Sequence, residues 1–238
     1  MANDGPWATL GAVGGAGRVE LKIIVPDDCY RTLLATLRGQ ERARTVYYLD
    51  TPDLDLAQRG LVVRARTGGR VDSVVKLRGP EPEALKRAAR RFPNLTVEVD
   101  ALPEHSWWTT AVARDLRPSA VRAAVRGRRP LRTLLSGEQR RFLRVHAKGC
   151  PSVDELVVHG PVVVTRTTGR GPGIAGRLVL ESWVYPDGSR LLEVSTKCRP
   201  DRVGRVAAAA GRFLAERDVD LTAPQRTKTA ASLEYFAS

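Results

Sequence analysis

From Arg18 onward the chain alternates apolar and charged residues at a period of two, and it does so on one short segment after another. Val19, Leu21, Ile23 and Val25 fall on one face of the first segment, with Arg18, Glu20 and Lys22 on the other. Successive side chains of a β-strand point to opposite faces, so this pattern specifies a strand with one buried and one polar face. The same reading gives strands over residues 45–49, 61–67, 71–78 and 95–100, then near 140–148, 155–158, 162–167, 178–185 and 190–197. Gly68-Gly69 and Pro186-Asp187-Gly188-Ser189 are hairpin turns between adjacent strands. A helix is predicted after Pro26-Asp27-Asp28, where Tyr30, Leu33, Leu34 and Leu37 keep helical spacing. Residues 79–93 are helix-prone, and residues 103–135 predict helical segments broken at Pro118 and Pro130. Two helices, over 201–217 and 223–236, follow the last strand. Strands in hairpins with helices inserted between them make an α+β pattern, not the strand–helix alternation of a doubly wound sheet. Residues 1–17 are expected to be a flexible leader and 18–238 a single domain.

The polar slots of these strands carry an unusual cargo. They hold Glu20 and Lys22, Arg64 and Arg66, Lys76 and Arg78, Glu98 and Asp100, Glu181, and finally Glu193, Ser195 and Lys197. For any single residue a solvated sheet face is the simpler reading. Repeated over six strands, and with the antiparallel sheet closed on itself, the same parity aims all of them into one lumen. A lumen lined with guanidinium, ammonium and carboxylate groups is costly unless filled. A polyanion accompanied by divalent cations fits it, since Arg and Lys bind phosphate oxygens and carboxylates hold Mg²⁺ or Mn²⁺.

Composition narrows the class. The 238 residues carry 39 Lys and Arg against 26 Asp and Glu, a net charge of +13, yet only six of the basic residues are Lys. Where Arg is the default cation, a Lys inside an apolar strand suggests a need for a compact point charge. No apolar run approaches the roughly 18–20 residues of a membrane helix. Cys29, Cys150 and Cys198 are widely spaced and form no CxxC, which supports neither a disulfide framework nor a Cys-based zinc site, so a reduced cytoplasmic compartment is expected. His105, His146 and His159 lack metal-ligand spacing; packing or surface roles are expected, His146 alone having a route to the lumen. Trp107-Trp108 reads as an apolar anchor under a loop. The basic runs at 87–91 and 126–129 have no interleaved aromatics and read as solvated faces rather than a nucleic-acid surface. Thr227-Lys228-Thr229 reads equally as an exposed helix start or as a plug at the mouth of the lumen.

In order along the chain, Arg18-Val-Glu20-Leu-Lys22, Tyr47-Tyr48-Leu49-Asp50-Thr51-Pro52, Gly60 to Arg66, Val74 to Arg78 and Leu192 to Lys197 resemble the successive signatures of CYTH domains, the triphosphate tunnel metalloenzymes. The resemblance runs from about Arg18 to Phe236. It implies an eight-stranded antiparallel β-barrel, a tunnel with surrounding and C-terminal helices, and a divalent-metal-dependent hydrolase of inorganic triphosphate, polyphosphate or nucleoside triphosphates. Carried over position by position, Lys22, Arg64, Arg66, Lys76 and Lys197 grip the phosphate chain, joined by Arg78, Arg141 (or its neighbours Arg140 and Arg144) and Lys228. Glu20, Asp100, Glu181 and Glu193 are the expected ligands of Mg²⁺ or Mn²⁺, and Glu98 or Glu181 the base that takes the proton of the attacking water.

One position departs from the pattern. Arg18 stands where the family's ExExK motif begins with Glu. Losing a carboxylate and gaining a cation weakens a hard-metal site. Neighbouring acids compensate, or the chain binds triphosphate without turning it over. A nucleotide cyclase and a nucleic-acid binder driven by net charge are the remaining alternatives.

Overall fold

A computed structural model describes residues 7, 10, 13–37, 39–79, 91–174 and 176–237. Nine strands form one closed barrel: β1 (Arg18–Ile24), β2 (Gln40–Asp50), β3 (Leu61–Thr67), β4 (Asp72–Arg78), β5 (Leu95–Leu102), β6 (His105–Asp115), β7 (Val157–Gly169), β8 (Leu178–Val184) and β9 (Arg190–Cys198). Around the barrel they run β1-β5-β6-β4-β3-β2-β7-β8-β9. The closed barrel expected from the sequence is present, with nine strands where the resemblance implies eight. An odd number of strands cannot alternate direction all the way round a closed sheet, so one junction must be parallel. That junction is β1 with β5, where Glu20 lies opposite Asp100.

Six helices are described: α1 (Asp27–Thr36), α2 (Asp55–Gln58), α3 (Pro118–Val125), α4 (Gly137–His146), α5 (Val203–Ala215) and α6 (Lys228–Ala237). The outward faces of β1, β8 and β9 bury Leu21, Leu180 and Val194 against Leu33 of α1 and Phe213 of α5. On the opposite side Val63, Val75 and Val112 pack with Val121 of α3 and Phe142 of α4. Each such side chain taken from water contributes roughly 1.5–3 kcal/mol. A third cluster lies on the inward face at one end of the barrel, where Val46, Tyr48, Val62, Val162, Trp183 and Leu191 meet Ala231 and Leu233 of α6. The interior is therefore apolar at the α6 end, and its charged residues lie beyond.

Several sequence expectations change. Residues 140–148, read as a strand, form most of α4: Ser136 Oγ accepts from the Gln139 N–H and Gln139 Oε1 from the Ser136 N–H, a reciprocal cap that commits the segment to a helix. Residues 105–115, read within a helical stretch, are β6, hairpinned to β5 with Leu102 opposite His105. The separate strands at 155–158 and 162–167 are the single strand β7, preceded by a short 3₁₀ turn at Val153–Glu155. The final helix starts at Lys228 rather than 223. Residues 80–90, which make up most of the helix expected at 79–93 and of the basic run at 87–91, lie outside the described residues. Trp7, inside the predicted leader, is buried and its indole N–H donates to the Ala101 carbonyl. No helix among the described residues is long and apolar enough to cross a membrane.

Candidate functional site

Strand parity places the charged side chains as the sequence alternation requires. A cavity of about 400 Å³ opens inside the barrel, lined among others by Glu20, Lys22, Arg44, Arg64, Arg66, Lys76, Glu98, Arg166, Glu181, Lys197 and Lys228. The inward charges of the barrel divide in the main between two walls, with Lys22 and Lys197 standing on the acidic one and Asp72 on the cationic one. Lys76, Arg64, Arg66, Arg44 and Arg166 come from β4, β3, β2 and β7, which are contiguous in the barrel. Glu181, Glu193, Glu20, Glu98 and Asp100 come from the contiguous strands β8, β9, β1 and β5. On β6, between the two walls, only the small Ala111 and Ala113 line the space.

On the acidic wall, Glu20, Glu98 and Asp100 bring one carboxylate oxygen each to within 4.8 Å of one another. Their neighbours are ammonium groups. Lys22 Nζ lies 3.1 Å from Glu20 and 3.0 Å from Asp100, while Lys197 Nζ lies 2.8 Å from Glu98 and 3.6 Å from Glu20. Thr109 Oγ1 donates to Asp100 at 3.2 Å. Burial opposes ionisation of Glu20 and Asp100, but Lys22, with Lys197 for Glu20 and Lys76 for Asp100, outweighs it, so both carboxyls are held below their usual range. Burial equally opposes the charge on Lys22, and Asp100 and Glu20 overcome it, raising its pKa. Three carboxyl groups at this spacing are a hard oxygen donor set of the kind that suits Mg²⁺ or Mn²⁺, and Glu20, Glu98 and Asp100 are the residues that could hold such an ion.

Glu181 and Glu193 are a separate pair. Lys228, the first residue of α6, donates to Glu181 at 2.6 Å and Glu193 at 2.7 Å, and its ammonium lies 5.1 Å from the Trp183 ring centroid. The Trp183 indole N–H also donates to Glu181. Burial acts against Glu181, yet Lys228, Trp183 and Arg44 together bring its carboxyl down to about 2. For Glu193, only 2% exposed, burial prevails and its carboxyl is pushed up. Lys228 thus takes the buried position of the plug reading, holding two carboxylates rather than lying exposed.

The cationic wall is less compensated. Arg66 is fixed by Asp72 through two contacts of 2.6 and 2.7 Å. Arg166 and Arg44 reach Glu181 only at 3.5 and 3.9 Å. Arg64 forms no ion pair among the described residues, and its Nε is buried without a hydrogen-bond partner. Burial, with Arg66 and Arg166 adjacent, lowers Arg44 to about 10. Burial also dominates at Lys76; Asp100, 3.7 Å away, offsets it only in part, and the ammonium is pushed down to about 8. These are cations lacking a full complement of anions.

Two residues expected at the site lie elsewhere or on its edge. Arg141 is on α4, with its guanidinium 5.6 Å from the Phe92 ring centroid. Arg78 donates to the hydroxyls of Thr227 and Thr229, tying β4 to the start of α6. Arg18 is exposed at the start of β1. His146 packs against Phe142 with the two rings tilted by 50°, and His159 Nε2 meets the Thr51 carbonyl. Asp50 of the Asp-Thr-Pro turn is structural: its carboxylate accepts the backbone N–H groups of Thr51, Leu56 and Ala57 and so caps α2. Sequence reading missed Arg44, Arg166 and Asp72. Arg44 fell one residue before the predicted second strand, and Arg166 shares its face with Val162 and Val164, which hides it from an apolar-in, polar-out pattern.

No protein-family model matches the chain, and no curated protein sequence does. Solved structures do. A candidate adenylyl cyclase from Hippeastrum with a dominant triphosphatase activity superposes with a TM-score of 0.64 at 16% identity, covering 91% of this chain and 95% of its own. A candidate adenylate cyclase from Bacillus halodurans gives 0.61 at 16% identity, covering 90% and 98%. At this identity the likeness is one of fold: the chain shares the closed-barrel architecture of these proteins over nearly their whole length.

Proposed function

We propose that this protein is a triphosphate tunnel metalloenzyme of the CYTH type, a divalent-metal-dependent hydrolase of inorganic triphosphate, polyphosphate or nucleoside triphosphates. The observation that carries the reading is the division of one closed interior into an under-compensated Arg/Lys wall and a facing three-carboxylate cluster. The Hippeastrum neighbour's triphosphatase activity accords with it. Phosphoanhydride hydrolysis asks a protein for positioned phosphates, neutralised charge and an oriented water. Arg44, Arg64, Arg66, Lys76 and Arg166 bind the phosphate oxygens and take up the charge that develops on the leaving phosphate. Glu20, Glu98 and Asp100 would hold Mg²⁺ or Mn²⁺, which when bound would supply charge neutralisation and Lewis acidity at the phosphates. Glu98, the most accessible of the three, accepts the proton of the attacking water as the P–O bond breaks. Glu181 and Glu193 hold Lys228, and serve a second cation only if that ammonium withdraws.

A non-catalytic triphosphate binder is the second reading. It is favoured by Lys22 and Lys197, whose ammonium groups already neutralise the carboxylate cluster, together with Arg18 at the position where the family signature has Glu. Phosphate release from tripolyphosphate, ATP and long-chain polyphosphate, with and without Mg²⁺ or Mn²⁺, separates the two. Metal-dependent release that falls on the order of a hundredfold in Glu98→Gln, with unchanged thermal stability, is the expected outcome. Tight metal-independent binding without release would establish the binder; no binding of any of the three would sink both readings.

A further inference from the structure

A second cavity, about 830 Å³, adjoins the first and shares Arg166 with it. It arises from a mismatch in strand length. β2 pairs with β3 only from Thr45 onward, because β3 turns away at Gly68-Gly69. Residues 40–44 of β2 continue past that rim, paired with β7 as far as Gln40 opposite Thr168. The inward face of this extended ribbon carries on the cationic wall, from Arg44 to Arg42 on β2 and from Arg166 toward Arg170 after β7, with Arg177 entering from the start of β8. Arg42 and Arg166 are direct cross-strand partners. Like charges placed opposite each other destabilise a sheet. Among the described residues no carboxylate lines this groove, and Arg42, Arg170 and Arg177 form no ion pair. Guanidinium groups arranged this way bind successive anionic groups bidentately. Among the described residues no aromatic side chain lines the groove and Gln40 is its one side-chain amide, so it offers no stacking platform for a base.

We propose that this groove is a chain-length subsite: it takes the phosphates of a linear polyphosphate that extends beyond the segment held inside the barrel, making long-chain polyphosphate the preferred substrate class. The inference rests on the triphosphate reading above. It is tested by measuring affinity for tripolyphosphate and for polyphosphate of defined greater length, in wild type and in the triple variant Arg42→Ala, Arg170→Ala, Arg177→Ala. Wild type is expected to favour the long chain. The variant loses that preference, with long-chain affinity falling at least on the order of tenfold, while affinity for tripolyphosphate and the melting temperature stay unchanged. Equal affinities in wild type and variant for both ligands, or a parallel loss for both, would overturn the subsite and leave the barrel reading standing. Absence of tripolyphosphate binding in wild type would remove the barrel reading, and the subsite with it. A 5′-triphosphorylated oligonucleotide that bound more tightly than polyphosphate, and depended on the same three arginines, would overturn the choice of ligand.

Discussion

Four of the six lysines, Lys22, Lys76, Lys197 and Lys228, line the interior cavity of a chain that otherwise uses arginine as its cation. Three of them sit against carboxylates at 3.1 Å or closer; Lys76 does not, and its pKa of about 8 against an ordinary 10.5 follows from burial. Below about pH 8 the folded state bears the full cost of that buried charge. As pH rises from about 8 toward 10.5 the folded chain sheds the proton before the unfolded chain does, so the contribution of Lys76 to stability grows over that window. A bound polyanion reverses the preference by favouring the ammonium. Tripolyphosphate binding at pH 8 is therefore expected to draw a proton from buffer, measured by calorimetry in two buffers of different ionisation enthalpy. Lys76→Met should abolish the uptake, and wild-type binding without it would show that the ammonium is already fully charged. The scarcity of lysine was legible in the sequence, and four of the six lysines line the cavity; the loss of charge compensation at Lys76 was not, because it depends on how far Asp100 stands from it across the barrel.

At the scale of elements, legibility followed the mechanism that sets each segment. Strands β1, β3, β5 and β9 declare themselves because one face is apolar and the other mostly polar. β7 was read as a strand but split in two, at 155–158 and 162–167, because Gly160-Pro161 interrupts the pattern. β6 carries His105-Ser-Trp-Trp-Thr-Thr, aromatic and β-branched residues suited to a strand, but the prolines at 118 and 130 drew the segment into a helical reading. α4 was read as a strand, and the signal in the sequence that marks it as a helix is Ser136-x-x-Gln139. Gln139 does more than cap: fully buried, it donates to the carbonyls of Ser73 on β4 and Val112 on β6, fastening the helix to the outside of the barrel. Gln139→Leu leaves both carbonyls and the Ser136 N–H without that partner. It is expected to cost about 2–4 kcal/mol in urea denaturation, against about 1 kcal/mol for Ser136→Ala. A Gln139→Leu cost no larger than that of Ser136→Ala would mean that the carbonyls find other partners and the cap is the whole contribution.

At the scale of the molecule, three apolar clusters and a closed ladder of strands hold together a wall of like charges that would otherwise separate. Held this close, the cations are expected to lower the stability of the fold until an anion compensates them. Arg64 is where this is plainest, with its buried unpaired Nε, its neighbour Arg66 and its lowered pKa caused first by burial. Arg64→Met keeps the volume and removes the charge, so it is expected to raise the stability of the ligand-free protein by about 1 kcal/mol. Wild type should gain about 2.7 kcal/mol from tripolyphosphate at a hundredfold excess over Kd, a rise in Tm of roughly 5–10 °C for a chain of this size. Chloride at equal ionic strength should give little of that rise, since it screens the wall without bridging it. In Arg64→Met the ligand-induced rise should shrink while the starting Tm goes up, two opposite movements read in one melting experiment. A lower starting Tm in the variant would instead make Arg64 a packing residue, and the strain attributed to the cationic wall would have to reside in Arg44 and Arg166.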